Sequence, residues 1–430
     1  MSSNEVVDPV SVELTALLAR LAELAELPTD PLSDGGAACV DRIAVLEKLR
    51  SAVAAAQHTA IVAFGRAQVE AQIELVAEGR LDPEKLGRGI ADQIALAAHV
   101  SPHVGDRRLG VARALASDLP CTRALLVAGR ISEQLAEHVV SVTSHLDPEL
   151  RALVDKEIAE LGLEGMGRKQ AEAAVKKLAY EADPQGFTDR ARKARQDRRV
   201  TLRPAPDTMS VLSGLLPVEQ GVACLAALRK YADSLIATGD TDDRTRDQII
   251  ADTLVERLTG QVLAEDVNVE VGIVLPLDAI TDPDSASPGE LVGHGPLPAG
   301  IVTDLLRHTG GHRWWRRLFA HPAHGGLVGG DPRRRYFDGF LATLIALRDH
   351  GMCRDPFCGA PIRHTDHIKG KRAGGPTSLG NGRGNCVRGN HLKELPGWVT
   401  ELLHDGFGPH PHTVRTTTPT GHTYTSRAGP

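Results

Sequence analysis

From Cys353 to Trp398 the chain reads CRDPFCGAPIRHTDHIKGKRAGGPTSLGNGRGNCVRGNHLKELPGW. Its side chains suit two kinds of chemistry. Hydrolysis of a phosphodiester needs a base that titrates near neutral pH and a divalent cation that neutralises charge on the scissile phosphate. His367 is a candidate for the base. Asp366 can offer a carboxylate and Asn390 an amide oxygen to the cation. Mg2+ takes hard oxygen ligands, often only one or two from the protein, with water completing its shell.

The second chemistry is metal binding by thiolates. Cys353 and Cys358 flank a Pro-containing turn, close to the spacing of paired zinc ligands, and Cys386 follows in a glycine-rich setting. A tetrahedral site needs a fourth ligand. On a helix running from Cys386, residue 389 lies ~60° away in azimuth, the natural slot, whereas His391 lies ~140° away. Residue 389 is Gly389. Two readings stand: a structural Zn2+ site held by Cys353, Cys358 and Cys386, or a knuckle held by packing alone.

The elements around these residues follow from periodicity. Ile362 to Ile368 alternates as a strand, with Asp366 and His367 at its end. Gly370, Gly374, Gly375 and Pro376 make a loop, and a helix starts at Cys386 with Asn390 one turn in. One strand end and one facing helix can then deliver Asp366, His367 and Asn390 to a common point. Just upstream, FDGFLATLIALRDHGM predicts an amphipathic helix ending at Gly351. Before it, Trp314 and Trp315 lie among Arg313, Arg316 and Arg317. These are side chains that stack on bases and bind phosphate, or a helix whose aromatics pack inward while its arginines stay wet.

The first two-fifths of the chain predict helices. Leu14, Leu17, Leu18, Leu21 and Leu24 share a face, and the Ala-rich stretch 41–77 continues the pattern. After the basic run FTDRARKARQDRRVTLRP, short strands are expected at 200–203 and in DTMSVLSGLLP. Helices follow near 217–238 and 243–259, and a strand at 268–276. Cys39, Cys121 and Cys224, isolated among Ala and Leu, read as small core hydrophobes, and His404, His410, His412 and His422 as exposed loop residues.

At 430 residues, 42% hydrophobic and 24% charged, the chain has the balance of a globular protein. Six cysteines are too few for a disulfide scaffold, no apolar run is long enough for a membrane helix, and the polar, acidic N-terminus is unlike a secretory signal. A cytoplasmic protein with no membrane association is the expectation. Residues 301–430 hold 18 Lys and Arg against 9 Asp and Glu, so the first 300 residues carry a net −15 of the overall −6. An acidic body with a basic C-terminal portion points to an anionic partner for that portion, and nucleic acid is the commonest such partner.

The stretch 353–398 resembles the HNH nuclease module, a ββα-metal fold, with Asp366-His367, Asn381 and Asn390 at its signature positions. RRVTLRPAPDTMSVLSGLLP, the helices after it and the Trp-Trp segment resemble the long N-terminal region of the 13E12-repeat family, a domain of unknown function 222 type. The resemblance implies a mainly α N-terminal body with a small β element over 1–345, a C-terminal ββα-metal (HNH) module over 346–405, and a tail over 406–430. It implies a DNA endonuclease with DNA as partner and Mg2+ or another divalent cation as cofactor. His367 would be the base, Asp366 and Asn390 the metal ligands, and Asn381 a brace for the loop. His364, Arg363, Arg372 and Lys393 would meet the nucleic acid, and Cys353, Cys358 and Cys386 fall at the structural zinc positions. Gly389 departs from the family's pattern. Two other readings remain: a DNA-binding mobile-element or regulatory protein with a weak or inactive nuclease module, and a helical oligomerisation scaffold.

Overall fold

The computed structural model describes residues 8–26, 35–239, 241–260, 273–274, 288–291, 295–298, 300–301, 337 and 339–428. The Trp314–Trp315 segment lies outside them. In chain order come α1 (Pro9–Ala25), α2 (Gly35–Ala77), α3 (Ile90–Ala97), α4 (Pro102–Ser117), α5 (Pro120–Val127), α6 (Glu133–Val142), α7 (Pro148–Glu160), α8 (Arg168–Ala182) and α9 (Pro184–Ala194). Strands β1 (Arg199–Pro204) and β2 (Ser210–Leu215) follow, then α10 (Val218–Thr238) and α11 (Arg246–Thr259). Short strands β3 (Ile273–Val274), β4 (Gly289–Leu291) and β5 (Gly295–Leu297) precede α12 (Gly339–Arg348). The chain ends with β6 (His364–His367), β7 (Gly382–Asn385), α13 (Val387–Leu392), β8 (Val399–His404), β9 (Thr413–Thr417) and β10 (Thr423–Arg427). The body is mainly helical, and small antiparallel sheets gather toward the C-terminus. No helix among the described residues is long and apolar enough to cross a membrane.

The chain divides into two compact units. The first comprises Met1–Gln57, Leu115–Ser144 and Pro148–Leu178. Buried polar bonds tie its helices together. Asp155 on α7 is fully buried and accepts the Cys121 N–H at 2.6 Å, the Thr122 N–H at 3.0 Å and the Thr122 hydroxyl at 2.6 Å. It thereby satisfies N–H groups of the first turn of α5, which have no partner within their own helix. Arg151, one turn earlier on α7, pairs with Asp118 at 2.6 Å and donates to Thr143 Oγ1 and Val140 O. Helix α1 forms, capped by Asp8 with Pro9 in its first turn, yet it buries no residue, and Leu14 and Leu18 are exposed. The leucine stripe gave the helical period there without marking a core.

The second unit comprises His58–Ala114, His145–Asp147 and Ala179–Pro430. Ile61 from α2, Ile90 and Ile94 from α3, and Leu109 from α4 form one of its cores. In another, Leu341, Leu344 and Ile345 of α12 pack on Leu379 and Phe337. Strands β1 and β2 make an exposed antiparallel hairpin. Strands β6 and β7 pair antiparallel, with Asp366 opposite Arg383 and His367 opposite Gly382, and α13 follows directly. The final sheet has the order β10-β9-β8, antiparallel throughout.

Several expectations are corrected. The boundary at 345/346 falls inside α12, whose apolar face is part of the core beneath β7. The expected tail, 406–430, holds β9 and β10. Arg354, which follows Cys353, donates to the backbone oxygens of His412, Ser426 and Arg427 and so ties that sheet to the cysteine region. The Thr-rich strands alternate with small polar residues, a weak hydrophobic signal that reads as loop. Of the expected strand at 268–276, β3 covers 273–274, and the rest lies outside the described residues. Cys39 and Cys121 are only half-buried and Cys224 is exposed, so none is a core residue.

His412 is also corrected, from exposed to 2% exposed. Its Nε2 bonds the Gly380 carbonyl at 3.0 Å, and its Nδ1 is buried without a partner. Burial, reinforced by Arg348 and Arg354, pulls its pKa down to about 3. In the unfolded chain it titrates near 6.5. Between these values the unfolded chain binds more protons, so stability falls as pH falls, by about 1.4 kcal/mol per pH unit for this one group. The urea midpoint is expected to drop between pH 6.5 and 5 in the wild type, and His412→Gln to flatten that slope. Equal slopes in the two proteins would contradict the assignment.

Candidate functional site

Asp366 and His367 close β6. The Asp366 Oδ1 accepts the His367 backbone N–H at 2.7 Å. Its Oδ2 is paired with the ammonium of Lys393, which caps α13 and also donates to the His367 carbonyl at 3.2 Å. Burial opposes ionisation of Asp366, but Lys393 and that backbone N–H outweigh it and hold the carboxyl below its usual range. Lys393 is thus directed at the carboxylate, with its side chain only 13% exposed.

His367 is buried. Its Nε2 lies 2.9 Å from Thr377 Oγ1, its ring sits against Phe337 at a centroid distance of 4.6 Å, and its Nδ1 is 3.7 Å from Asp366 Oδ1. The last distance is longer than a hydrogen bond. Burial draws the His367 pKa below 6.5, and Asp366 only partly offsets this. A neutral imidazole is therefore the form present at neutral pH, which is the form a base requires.

Asn381 spans the loop between β6 and β7. Its Oδ1 accepts the Lys369 N–H at 2.9 Å, and its Nδ2 donates to the carbonyls of Lys369 at 3.0 Å and Pro376 at 2.8 Å. The loop folds back so tightly that a Cβ on Gly375 would stand 1.8 Å from the Lys369 carbonyl oxygen, which only glycine permits. Asn390, on α13, has a buried Oδ1 with no hydrogen-bond partner. It is three residues before Lys393, which caps this helix and pairs with Asp366. Arg363, His364 and Arg372 are exposed, as are Lys369 and Lys371 on the same loop.

The three cysteines converge. Cys353, Cys358 and Cys386 are buried, with their sulfurs all within 4.8 Å of one another, and Cys358 Sγ is 3.7 Å from Cys386 Sγ. A tetrahedron of Zn–S bonds near 2.3 Å has an edge of ~3.8 Å, so this spacing suits a tetrahedral ion. Cys386 also caps α13, its Sγ accepting the Gly389 N–H at 3.3 Å. Its thiol is pulled down by Cys353 and then Cys358, while Cys353 is pushed up by contact with both neighbours. The cluster could hold a metal. His391 is exposed and takes no part in it.

Charged residues that sequence reasoning missed hold this region in place. Arg348 donates to both Asp349 oxygens and to the carbonyls of Leu379 and Gly382, and Asp349 accepts the Gly384 N–H at 2.8 Å. This network locks the start of β7 onto α12. From α13, Arg388 reaches Asp92 of α3 at 2.6 and 2.8 Å and also pairs with Asp106 of α4. One guanidinium thus joins the site helix to two helices nearly 300 positions earlier. Thr377 and Phe337, which orient His367, were missed too. Nothing in local spacing marks any of these partners.

The family model for a domain of unknown function (DUF222) matches residues 43–337, ending before the cysteine cluster. Uncharacterized protein Rv2100 of Mycobacterium tuberculosis (strain ATCC 25618 / H37Rv) is 32% identical over 151 residues, which is 34% of this chain and 25% of that protein. The chain thus matches about a quarter of that relative's length. Uncharacterized protein Rv1702cMb1728c of the same strain is 23% identical over 398 residues, 86% of this chain and 85% of that protein. No solved structure matches.

Proposed function

The chain belongs to the DUF222 family, and we propose that its C-terminal ββα unit, which lies beyond the matched residues, is an HNH-type, metal-dependent endonuclease that hydrolyses DNA phosphodiester bonds. The carrying observation is the buried, unpartnered Asn390 Oδ1 on the helix capped by Lys393, whose ammonium pairs with the Asp366 carboxylate. An orphaned amide oxygen and a carboxylate are together a donor set suited to a hard divalent cation such as Mg2+. When bound, that cation would neutralise charge on the scissile phosphate.

The chain's own residues do the rest. His367 Nδ1 takes a proton from the attacking water, while Thr377 holds Nε2 and Phe337 holds the ring plane. Asn381 keeps the loop closed around this geometry. Exposed Arg363, His364, Lys369, Lys371 and Arg372 lie where phosphates of a bound strand could pair with them. Lys393 competes with a divalent ion for Asp366 in the form described and would meet phosphate once displaced. Nicking of supercoiled plasmid with Mg2+ or Mn2+, wild type against His367→Ala, tests this. Plasmid left intact by wild type in every metal, while still retarded on a gel, would sink the enzyme reading in favour of DNA binding alone. The Lys393–Asp366 pair is the observation that favours that second reading.

We further propose a structural Zn2+ on Cys353, Cys358 and Cys386. Cys386→Ser is expected to purify with less than about a tenth of the wild-type zinc, measured by elemental analysis, because a structural zinc site depends on its full ligand set. Unchanged zinc content would remove the assignment.

A further inference from the structure

The glycine at 389 leaves three thiolates where a tetrahedral ion needs four ligands. What occupies the space is Asp355, from the turn between Cys353 and Cys358. A Cβ built on Gly389 would stand 1.7 Å from Asp355 Oδ2 and 3.5 Å from Cys353 Sγ. The carboxylate therefore fills the volume that a side chain at 389 would claim. Any larger residue there would expel it.

The contacts of the two carboxylate oxygens differ. Oδ1 is bound at 2.9 Å by Arg383, whose side chain is 1% exposed. Oδ2 lies 3.7 Å from Cys353 Sγ. With a Zn–S bond near 2.3 Å and a Zn–O bond of 2.0–2.2 Å, a tetrahedral site separates sulfur and oxygen by ~3.6 Å. The Cys358–Cys386 spacing of 3.7 Å agrees with the sulfur–sulfur edge of the same tetrahedron. A carboxylate anchored through one oxygen and presented through the other is the arrangement of a ligand oriented by its outer-shell partner. Asp355 stands outside the group of donors that all lie within 4.8 Å of one another, so its carboxylate must move inward to complete the shell.

We propose that Asp355 is the fourth ligand of this site, giving a Cys3Asp centre that Gly389 makes sterically available. The proposal rests on reading the three cysteines as a metal site. A Cys3Asp shell carries four negative charges against the ion's two. Buried Arg383 offsets part of the excess, a charge balance that an all-apolar surround would not provide.

The test is Co2+ and Zn2+ titration of the metal-free full chain, followed by the thiolate charge-transfer and d–d bands of bound Co2+. Asp355→Asn keeps an oxygen for Arg383 and removes the anionic ligand. It is expected to weaken binding at least ~10–100-fold, the loss that even an outer-shell change brings, and to shift the d–d bands. Gly389→His placed in an Asp355→Ala chain, where the space at 389 is vacated, is expected to restore tight binding with the bands of a nitrogen-containing shell. If Cys386→Ser loses the metal while Asp355→Asn keeps wild-type affinity and bands, Asp355 is not a ligand and the three-cysteine reading survives. If Cys386→Ser also binds as wild type, the cluster is not a metal site and both ideas fall. Circular dichroism of each variant separates ligand loss from unfolding.

Discussion

His367→Ala is expected to lower metal-dependent plasmid nicking by about 10²–10⁴-fold, the range that general base catalysis contributes. Three features single out this imidazole. It is next to a carboxylate suited to the cation, its far nitrogen is held by Thr377, and burial keeps it neutral at neutral pH. The substitution leaves the exposed cations in place, so plasmid retardation on a gel should persist. Because burial depresses the His367 pKa, wild-type nicking should persist into the acid range where an ordinary imidazole is already protonated, and fail only at lower pH. Loss of the ring also removes contacts to Phe337 and Thr377. Melting curves of both proteins must therefore accompany the rates, and His367→Asn serves as a closer steric match. Nicking within threefold of wild type, in a folded His367→Ala protein, would show that the base lies elsewhere.

Asp349→Ala is expected to cost about 3–5 kcal/mol of stability, the loss seen when one member of a buried ion pair is removed. Asp349 is fully enclosed, Arg348 is 3% exposed on its side chain and Arg354 7%. Truncation would leave two guanidiniums competing for backbone carbonyls and would strip the Gly384 N–H of its acceptor. Burial already pulls Arg354 down to about 10 with the carboxylate present. The damage should centre on β7, since the network holds the backbone of Gly382 and Gly384 there, with Leu379 just before the strand. Urea denaturation measures the loss, and hydrogen exchange at β7 amides locates it. A loss under about 1 kcal/mol would place Asp349 among ordinary surface substitutions and discard the network argument.

The gap at Gly389 was visible in the sequence, because helical azimuth alone shows that residue 389 shares a face with Cys386. Its occupant was not. Asp355 sits in the Pro-containing turn between Cys353 and Cys358, and only the distance from Asp355 Oδ2 to a notional Cβ at 389 reveals that the two positions share one space. The Trp314–Trp315 reading is untouched, since that segment lies outside the described residues. His412 shows the opposite failure. A histidine among Pro, Gly and Thr looks exposed, yet the final sheet folds back and encloses it.

By itself the sequence determined what local spacing can determine. Helical and strand periods placed α2, α10, α11, the strands β1 and β2, and the strand and helix that carry Asp366, His367 and Asn390, because backbone geometry repeats over a few residues. They missed β7 between that strand and helix, whose Gly-Arg-Gly-Asn has no apolar alternation. Residue types named the chemistry those side chains are capable of. Only the tertiary structure decided which of them meet. It brought Cys386 to Cys353 and Cys358, turned Lys393 onto Asp366, left the Asn390 oxygen without a donor, and joined Arg388 to Asp92 and Asp106. Those contacts depend on burial, which removes water as a competing partner and makes a buried charge or amide costly unless paired. Burial belongs to the assembled chain and is not written in any short stretch of it.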